Sequence, residues 1–349
     1  MQAQPFFTQQ LVRDLYWACF GPNIIDDFSF AELDIDVQPL LIELTEERLE
    51  WLNQLDRQPE PLQQYIDNLK SPRLGIYFEA LWQFFLQHDQ RLELIAHNLP
   101  IYRNKKTYGE FDIILLDKKT NSHTHLELST KYYLNSSLLD PSSLPPLTTS
   151  NDDDNRDNAN QQLSADFSHW LGPNANDRLD KKINRLLSHQ IAMSSIPEGK
   201  QALQELDIAA THKRIVVKGI LFYPQQYTAS QAQHKERLSA HHQYGHWHTL
   251  ASFINTQSEK LTWQVLDKSL WISPTRLGKD EAEKLLSGDS LHHYLDQYFK
   301  HEQRPIMLGQ MKEDTNGFTE QQRVFVTNDQ WPIFKPRSKN LKISKIKSL

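Results

Sequence analysis

Apolar positions along this chain recur at two periods, and each change of period marks an element. Leu11, Leu15, Trp17 and Phe20 fall at helical spacing within residues 7–20. Residues 44–69 carry Leu49, Trp51, Leu52, Leu55, Leu62 and Tyr65 as a core-facing stripe, which predicts one or two helices. Thr45 is the expected N-cap, with Glu46 and Glu47 in the first turn. Ser71-Pro72 predicts the start of the next helix. Its apolar face is Phe78, Leu81, Trp82 and Phe85. Gly75 and Glu79 stack on another face. A glycine inside a helix costs about 1 kcal/mol relative to alanine, so a close packing contact is expected at Gly75. Taken alone, Glu79 reads as an exposed glutamate on a helix edge.

The period then shortens to two. Residues 91–102 read as a strand, followed by Gly109-Glu110-Phe111-Asp112-Ile113-Ile114-Leu115-Leu116 and by His125-Leu126-Glu127-Leu128-Ser129-Thr130-Lys131. The polar link Asp117–Ser122 makes the last two a hairpin. Strand alternation puts Glu110 and Asp112 on one face, and Phe111, Ile113 and Leu115 on the other. Glu127, Ser129 and Lys131 share a face as well. If Asp117 pairs with Ser122, Asp112 falls opposite Glu127 and Glu110 opposite Ser129. Like charges directly opposite are destabilising, and a bound cation is the natural reason to keep two carboxylates there.

From 136 to about 162 the composition turns to that of loop or disorder, with Pro145-Pro146 and Asp152-Asp153-Asp154. The aspartates lack the spacing of a calcium-binding loop. Phe167, Trp170 and Leu171 dock the chain back. A long helix is predicted over Ala175–Met193, with Leu179, Ile183, Leu186, Leu187 and Ile191 as its apolar face. Arg178, Lys182, Arg185 and His189 make a second, basic face, and Gln190 borders the apolar one. A basic face is usually just solvated. Beside paired carboxylates it could also hold phosphates. Arg214–Tyr223 is a nearly continuous apolar strand, hence buried on both faces.

Beyond Pro224 the pattern predicts a polar helix over 227–240, strands at Tyr244–Trp247 and Trp263–Leu266, a helix over Asp280–Phe299, and strands at Pro305–Met311 and Arg323–Val326. His241, His242, His246 and His248 have no cysteine nearby and no HExxH pattern, so packing or surface roles are expected. Four regions result: a helical region at 1–70, a core at 71–223, an α+β region at 224–334, and a basic tail at 335–349. The tail's six Lys/Arg and absence of acids read as disorder, with contact to an anionic partner as the other option.

Composition narrows the function classes. The chain has 349 residues, 38% hydrophobic, with eight Trp, enough for a sizeable core. One cysteine, Cys19, excludes an internal disulfide framework and fits a reducing cytoplasm. No apolar run reaches the length of a membrane span, and the N-terminal residues have no signal-peptide pattern. A net charge of −6 does not advertise nucleic-acid binding. No GxGxxG, P-loop or GxSxG string is present.

The order helix, three strands, helix, strand, with Glu79, Asp112, Glu127 and Lys131 in those slots, resembles the PD-(D/E)XK nuclease superfamily. The family's lysine is expected at Ser129; here it lies two residues on, at Lys131, on the same strand face. Gly75-x-x-x-Glu79 resembles the first-helix acid of some branches, and Gln190 a helix glutamine of others. More closely, Leu74-Gly75-Ile76-Tyr77-Phe78-Glu79, Gly109-Glu110-Phe111-Asp112, His125–Leu134 and Trp170-Leu171-Gly172-Pro173-Asn174 resemble a bacterial family called domain of unknown function eighteen-fifty-three, over most of the chain.

The superfamily resemblance implies an α/β, restriction-endonuclease-like core with a mixed sheet. It implies a metal-dependent nuclease hydrolysing phosphodiester bonds of DNA or RNA through a water activated by Mg²⁺ or Mn²⁺. Asp112 and Glu127 would be the metal ligands and Lys131 the charge-stabilising lysine. Glu79 would hold a metal water or a second ion, Glu110 would be a substitute ligand, Ser129 and Gln190 would support, and Arg178, Lys182 and Arg185 would bind flanking phosphates. The alternative is a catalytically inactive nuclease-fold module that binds nucleic acid or a protein partner.

Overall fold

The structure is a computed structural model that describes residues 6–28, 36–139, 167–225, 237–257 and 259–333. The N-terminal half contains α1 (Gln10–Phe20), β1 (Val37–Pro39), α2 (Glu46–Arg57), α3 (Glu60–Asp67) and α4 (Leu74–His88). Then come β2 (Leu92–Arg103), β3 (Lys106–Asp117), β4 (Ser122–Asn135), β5 (Trp170–Leu171), α5 (Leu179–Arg185), α6 (Pro197–Gln204) and β6 (His212–Pro224). The remainder holds β7 (Gln243–Thr249), α7 (Leu250–Thr256), β8 (Thr262–Val265), β9 (Arg276–Leu277), β10 (Leu285–Leu286), α8 (Gly288–His301), β11 (Ile306–Asp314) and β12 (Gly317–Thr327).

The chain is mixed α/β. Among the described residues twelve strands form one sheet whose main path runs β10-β8-β11-β12-β7-β6-β4-β3-β2. Strands β2, β3 and β4 form an antiparallel meander. Strand β6 then adds parallel to β4, which requires a crossover, and α5 and α6 lie within it. Strand β7 continues the sheet parallel to β6, so pairing is unbroken past residue 224.

Helices cover both faces, and β6 shows why its sequence is apolar throughout. Val216 packs with Leu81, Trp82 and Phe85 of α4 and with Leu126 and Leu128 of β4. Its neighbours Ile215 and Val217 point the other way, onto Leu179, Ile183, Leu187 and Ile191. Gly219 lies beside Lys131 in the β4–β6 ladder with φ +148. A Cβ there would stand 1.6 Å from the Lys131 carbonyl oxygen, so only glycine fits.

Thr45 caps α2 as expected, accepting from the Arg48 amide. Residues 44–69 form two helices, and Phe167, Trp170 and Leu171 are buried. Four expectations need correction. The helix foreseen from Ser71-Pro72 begins at Leu74 with no side-chain cap. A Cβ added at Gly75 would meet nothing within 4 Å, so close packing does not explain this glycine. The single helix foreseen over Ala175–Met193 starts only at Leu179 and passes into a π turn, Leu186–Gln190, and a 3₁₀ turn, Ile191–Ser195. The helix foreseen from Asp280 begins at Gly288, because Lys279–Lys284 is a 3₁₀ turn and Leu285–Leu286 pairs with β8. Strand β1 and helix α7 had no signal strong enough to predict. Most of the insert foreseen over 136–162, most of the polar helix over 227–240 and the basic tail lie outside the described residues.

Candidate carboxylate site at the strand fork

Strands β3 and β4 are joined by the expected hairpin, with Asp117 opposite Ser122. Their ladder runs to Ile113 opposite Leu126 and ends there, while β4 continues along β6 as far as Leu134. Asp112 and Glu127 occupy the next position, at the fork. The Leu128 amide, left without a β3 carbonyl, donates instead to Asp112 Oδ2 at 2.9 Å. Glu110 and Ser129 are therefore not paired, contrary to the extended register. Strand alternation also breaks past the fork: Ile113 and Leu115 join the core under α4, but Phe111 packs with Ile114, Ile101 and Met193 on the other side.

Glu127 is fully buried. His125, also buried, lies two residues earlier on the same strand face, and its Nε2 is 2.9 Å from Glu127 Oε1. Burial pushes the imidazole down to about 3, so the ring is neutral and Nε2–H is the donor. The other oxygen, Oε2, accepts from Gln190 Nε2 at 2.7 Å. Gln190 Oε1 in turn accepts from Lys182 Nζ at 3.2 Å.

The π turn brings Lys182 and Gln190 together. In an unbroken α-helix, residues eight apart are separated by about 80° around the axis. One extra residue taken up in a π turn makes the span behave like seven, which returns the second side chain to within about 20° of the first. That one residue brings Lys182 of the basic face beside Gln190, at the border of the apolar one.

Glu79 reaches the site from α4. Asn98 lies close enough to hold its pKa down, while the Asn98 Oδ1 accepts from Gln83 Nε2 at 3.2 Å. Gln83 Oε1 accepts from Tyr65 at 3.2 Å. Asn98 stands in register opposite Asp112, between the His97–Ile113 and Leu99–Phe111 pairs, with φ +48. Left-handed backbone at a non-glycine residue is uncommon, and such residues cluster at functional sites.

Three carboxyls here are displaced together. Burial, then the charges of Asp112 and Glu110, push Glu79 up to about 7. Burial and then Glu127 push Asp112 up to about 7. Burial raises Glu127 to about 7 against the opposing pull of Asp112, Lys182 and Gln190. Asp112 and Glu127 are close enough for each to shift the other. Burial and then the nearby Lys131 lower the Lys182 ammonium, while Asp112 and Glu127 hold it up. The half-buried Lys182 ammonium acts on all three carboxyls.

Among the described residues no group of three or more His, Cys, Asp or Glu side chains is arranged to hold a metal ion. The donors present are two adjacent carboxylates, hard oxygen ligands. They fit a Mg²⁺-type ion, which keeps several waters and needs only one or two carboxylates.

The sequence-predicted residues divide in two. Glu79, Asp112, Glu127, Lys182 and Gln190 converge, with exposed Glu110 close enough to act on Glu79. Lys131 lies near Lys182, but its ammonium donates to Asp177. Ser129 is buried. Arg178 forms a two-pronged pair with Asp180, its Nε 2.9 Å from Oδ1, so its charge is committed. Arg185 is exposed and close enough to lower Lys182. Sequence reasoning misses His125, Asn98 and Asp177. The strand period alone places His125 on the face of Glu127, whereas Asn98 and Asp177 require the fold. His242 packs as expected, between Tyr223 at 3.0 Å and the Ser239 carbonyl at 2.6 Å.

No helix among the described residues is long and apolar enough to cross a membrane. The family model described as domain of unknown function (DUF1853) matches residues 13–327, so the chain belongs to that family. No curated protein and no solved structure matches it.

Proposed function

We propose that this DUF1853 protein is a metal-dependent phosphodiesterase of the nuclease type, with a restriction-endonuclease-like core spanning α4 to β6. The observation that carries the reading is the side-by-side placement of Asp112 and Glu127 where β3 parts from β4, with the half-buried Lys182 close enough for its charge to act on both. Asp112 and Glu127 would hold one Mg²⁺ or Mn²⁺. A divalent ion bound there supplies Lewis acidity toward a phosphoryl oxygen and lowers the pKa of its own water.

The chain's own residues do the rest. His125 and Gln190 fix the orientation of Glu127, as outer-shell partners of a ligating carboxylate do. Lys182 places positive charge where negative charge grows on the phosphate. Glu79, beside Asn98, orients water on the α4 side. The substrate class is a nucleic-acid strand, DNA or RNA.

A second reading has its own support. Both oxygens of Glu127 are already hydrogen-bonded and Lys131 is committed to Asp177, as in a retired catalytic fold that binds nucleic acid or a protein. Calorimetric titration of Mn²⁺ and Mg²⁺ into wild type and into Asp112→Ala/Glu127→Ala separates the two readings. It is run beside cleavage of single- and double-stranded DNA and RNA. The nuclease reading expects metal binding and cleavage, both lost in the variant. A wild type that binds no metal and cuts nothing overturns it.

A further inference from the structure

Away from the carboxylates, a cavity of about 310 Å³ opens where the Ile191–Ser195 turn and the end of α6 meet the start of β6. Lys200, Lys213, Ser194, Ser195 and Thr211 line it and no Asp or Glu does, the Ser194 hydroxyl donating to the Ile191 carbonyl. Among the described residues neither lysine has a carboxylate ion-pair partner. Lys213 Nζ donates to Ser195 Oγ at 2.6 Å. A hydroxyl oxygen that accepts from an ammonium keeps its own proton to give, so Ser195 extends the donor set. Burial and then the neighbouring Lys200 charge hold Lys213 below its usual range.

A second cavity of about 300 Å³ provides a contrast. It also has two cationic side chains, Arg48 and Arg91, but each is committed: Arg48 to Asp89 and Arg91 to Asp117, both at 2.6 Å. The lysine cavity has positive charge to spare. Its volume equals roughly ten waters at ~30 Å³ each, room for a phosphate and for a sugar attached to it.

We propose that this cavity binds a phosphate group, gripped by Lys200 and Lys213 and oriented by the hydroxyls of Ser195 and Thr211. The phosphate could belong to a free phosphate ester or to a polynucleotide strand. Lys213 stands opposite His125 in the β4–β6 ladder, two rungs from Glu127, or roughly 7 Å of strand. A strand lying across the fork could therefore reach the cavity, but the anion site does not depend on any chemistry at the carboxylates.

The test is calorimetric titration of the full chain with inorganic phosphate, a 5′-mononucleotide and a short single-stranded oligonucleotide. Wild type, Lys200→Ala/Lys213→Ala, Lys213→Arg and Asp112→Asn are compared, with folding checked by circular dichroism. Inorganic phosphate should bind wild type and Asp112→Asn alike, bind about tenfold or more weakly to the double alanine variant, and be retained in Lys213→Arg. An oligonucleotide that binds more tightly than the mononucleotide, with a salt dependence that flattens in the double variant, assigns the phosphate to a polynucleotide. A mononucleotide that binds as well as the oligonucleotide assigns it to a free ester. Wild type that ignores phosphate, or phosphate binding that survives the double alanine substitution, overturns the site.

Discussion

Gln190 donates its side-chain amide to Oε2 of Glu127 at 2.7 Å, and that bond fastens the π turn to the central strand. Replacing Gln190 with Leu leaves a buried carboxylate oxygen without its donor. The expected cost is about 1–3 kcal/mol at pH 8, where Glu127 is ionised. At pH 5 the folded carboxyl, raised to about 7, is protonated and the loss should shrink. Urea unfolding at the two pH values reads the difference. An equal loss at both would mean that Gln190 acts through packing alone.

Asp112 makes the converse case. Its carboxyl is pushed up to about 7 in the folded chain, far above the ordinary range it has when unfolded. Between those two values the folded state holds a proton that the unfolded state has released, so stability falls as pH rises through that window. Asp112→Asn cannot ionise, and its Oδ1 can still accept from Leu128. The variant should gain about 1–3 kcal/mol over wild type at pH 8 and little at pH 4, while losing metal binding and cleavage. Parallel stability curves for the two proteins from pH 4 to 8 would refute the shared-burial account of the fork.

A divalent cation should offset the same strain. In wild type the melting temperature should rise with added Mg²⁺ or Mn²⁺, with about 2.7 kcal/mol of stabilisation at a hundredfold excess over Kd. The rise should be larger at pH 8 than at pH 6, because protons compete for the carboxylates. Differential scanning fluorimetry gives the shift directly. The same shift in Asp112→Ala/Glu127→Ala would place the ion elsewhere.

How much of this site is legible in the sequence depends on the range of the forces that build it. Strand period and the turn at 118–121 set the hairpin register, so Asp112 and Glu127 are legible as a pair. The ladder's end after Ile113 is not, because it depends on how α4 and Met193 pack on either side of β3. The apolar face expected of residues 179–191 is the buried one even though the helix is broken. Burial tolerates a one-residue π insertion, whereas the placement of Lys182 against Gln190 depends on it. Strand phase singles out Lys131, but its partner Asp177 lies 46 residues away with no periodic signal to announce it.

The two lysines near the fork differ in what holds their charge. Lys131 is partly exposed and paired with Asp177, an arrangement in which an ion pair typically contributes ~0–1 kcal/mol. Lys182 is the ammonium whose charge bears on Glu79, Asp112 and Glu127 together. Lys182→Met should therefore raise all three carboxyls further and shift any pH–rate profile upward. It should also lower cleavage by about 10²–10³-fold, the scale of removing one oxyanion-stabilising group. Lys131→Met should lower cleavage by less than about tenfold and leave the profile in place, because its charge is already matched by Asp177. Single-turnover cleavage across pH 6–9 compares them directly. If Lys131→Met abolishes cleavage and Lys182→Met does not, the strand lysine leaves Asp177 to act, and Lys182 serves only to hold Gln190.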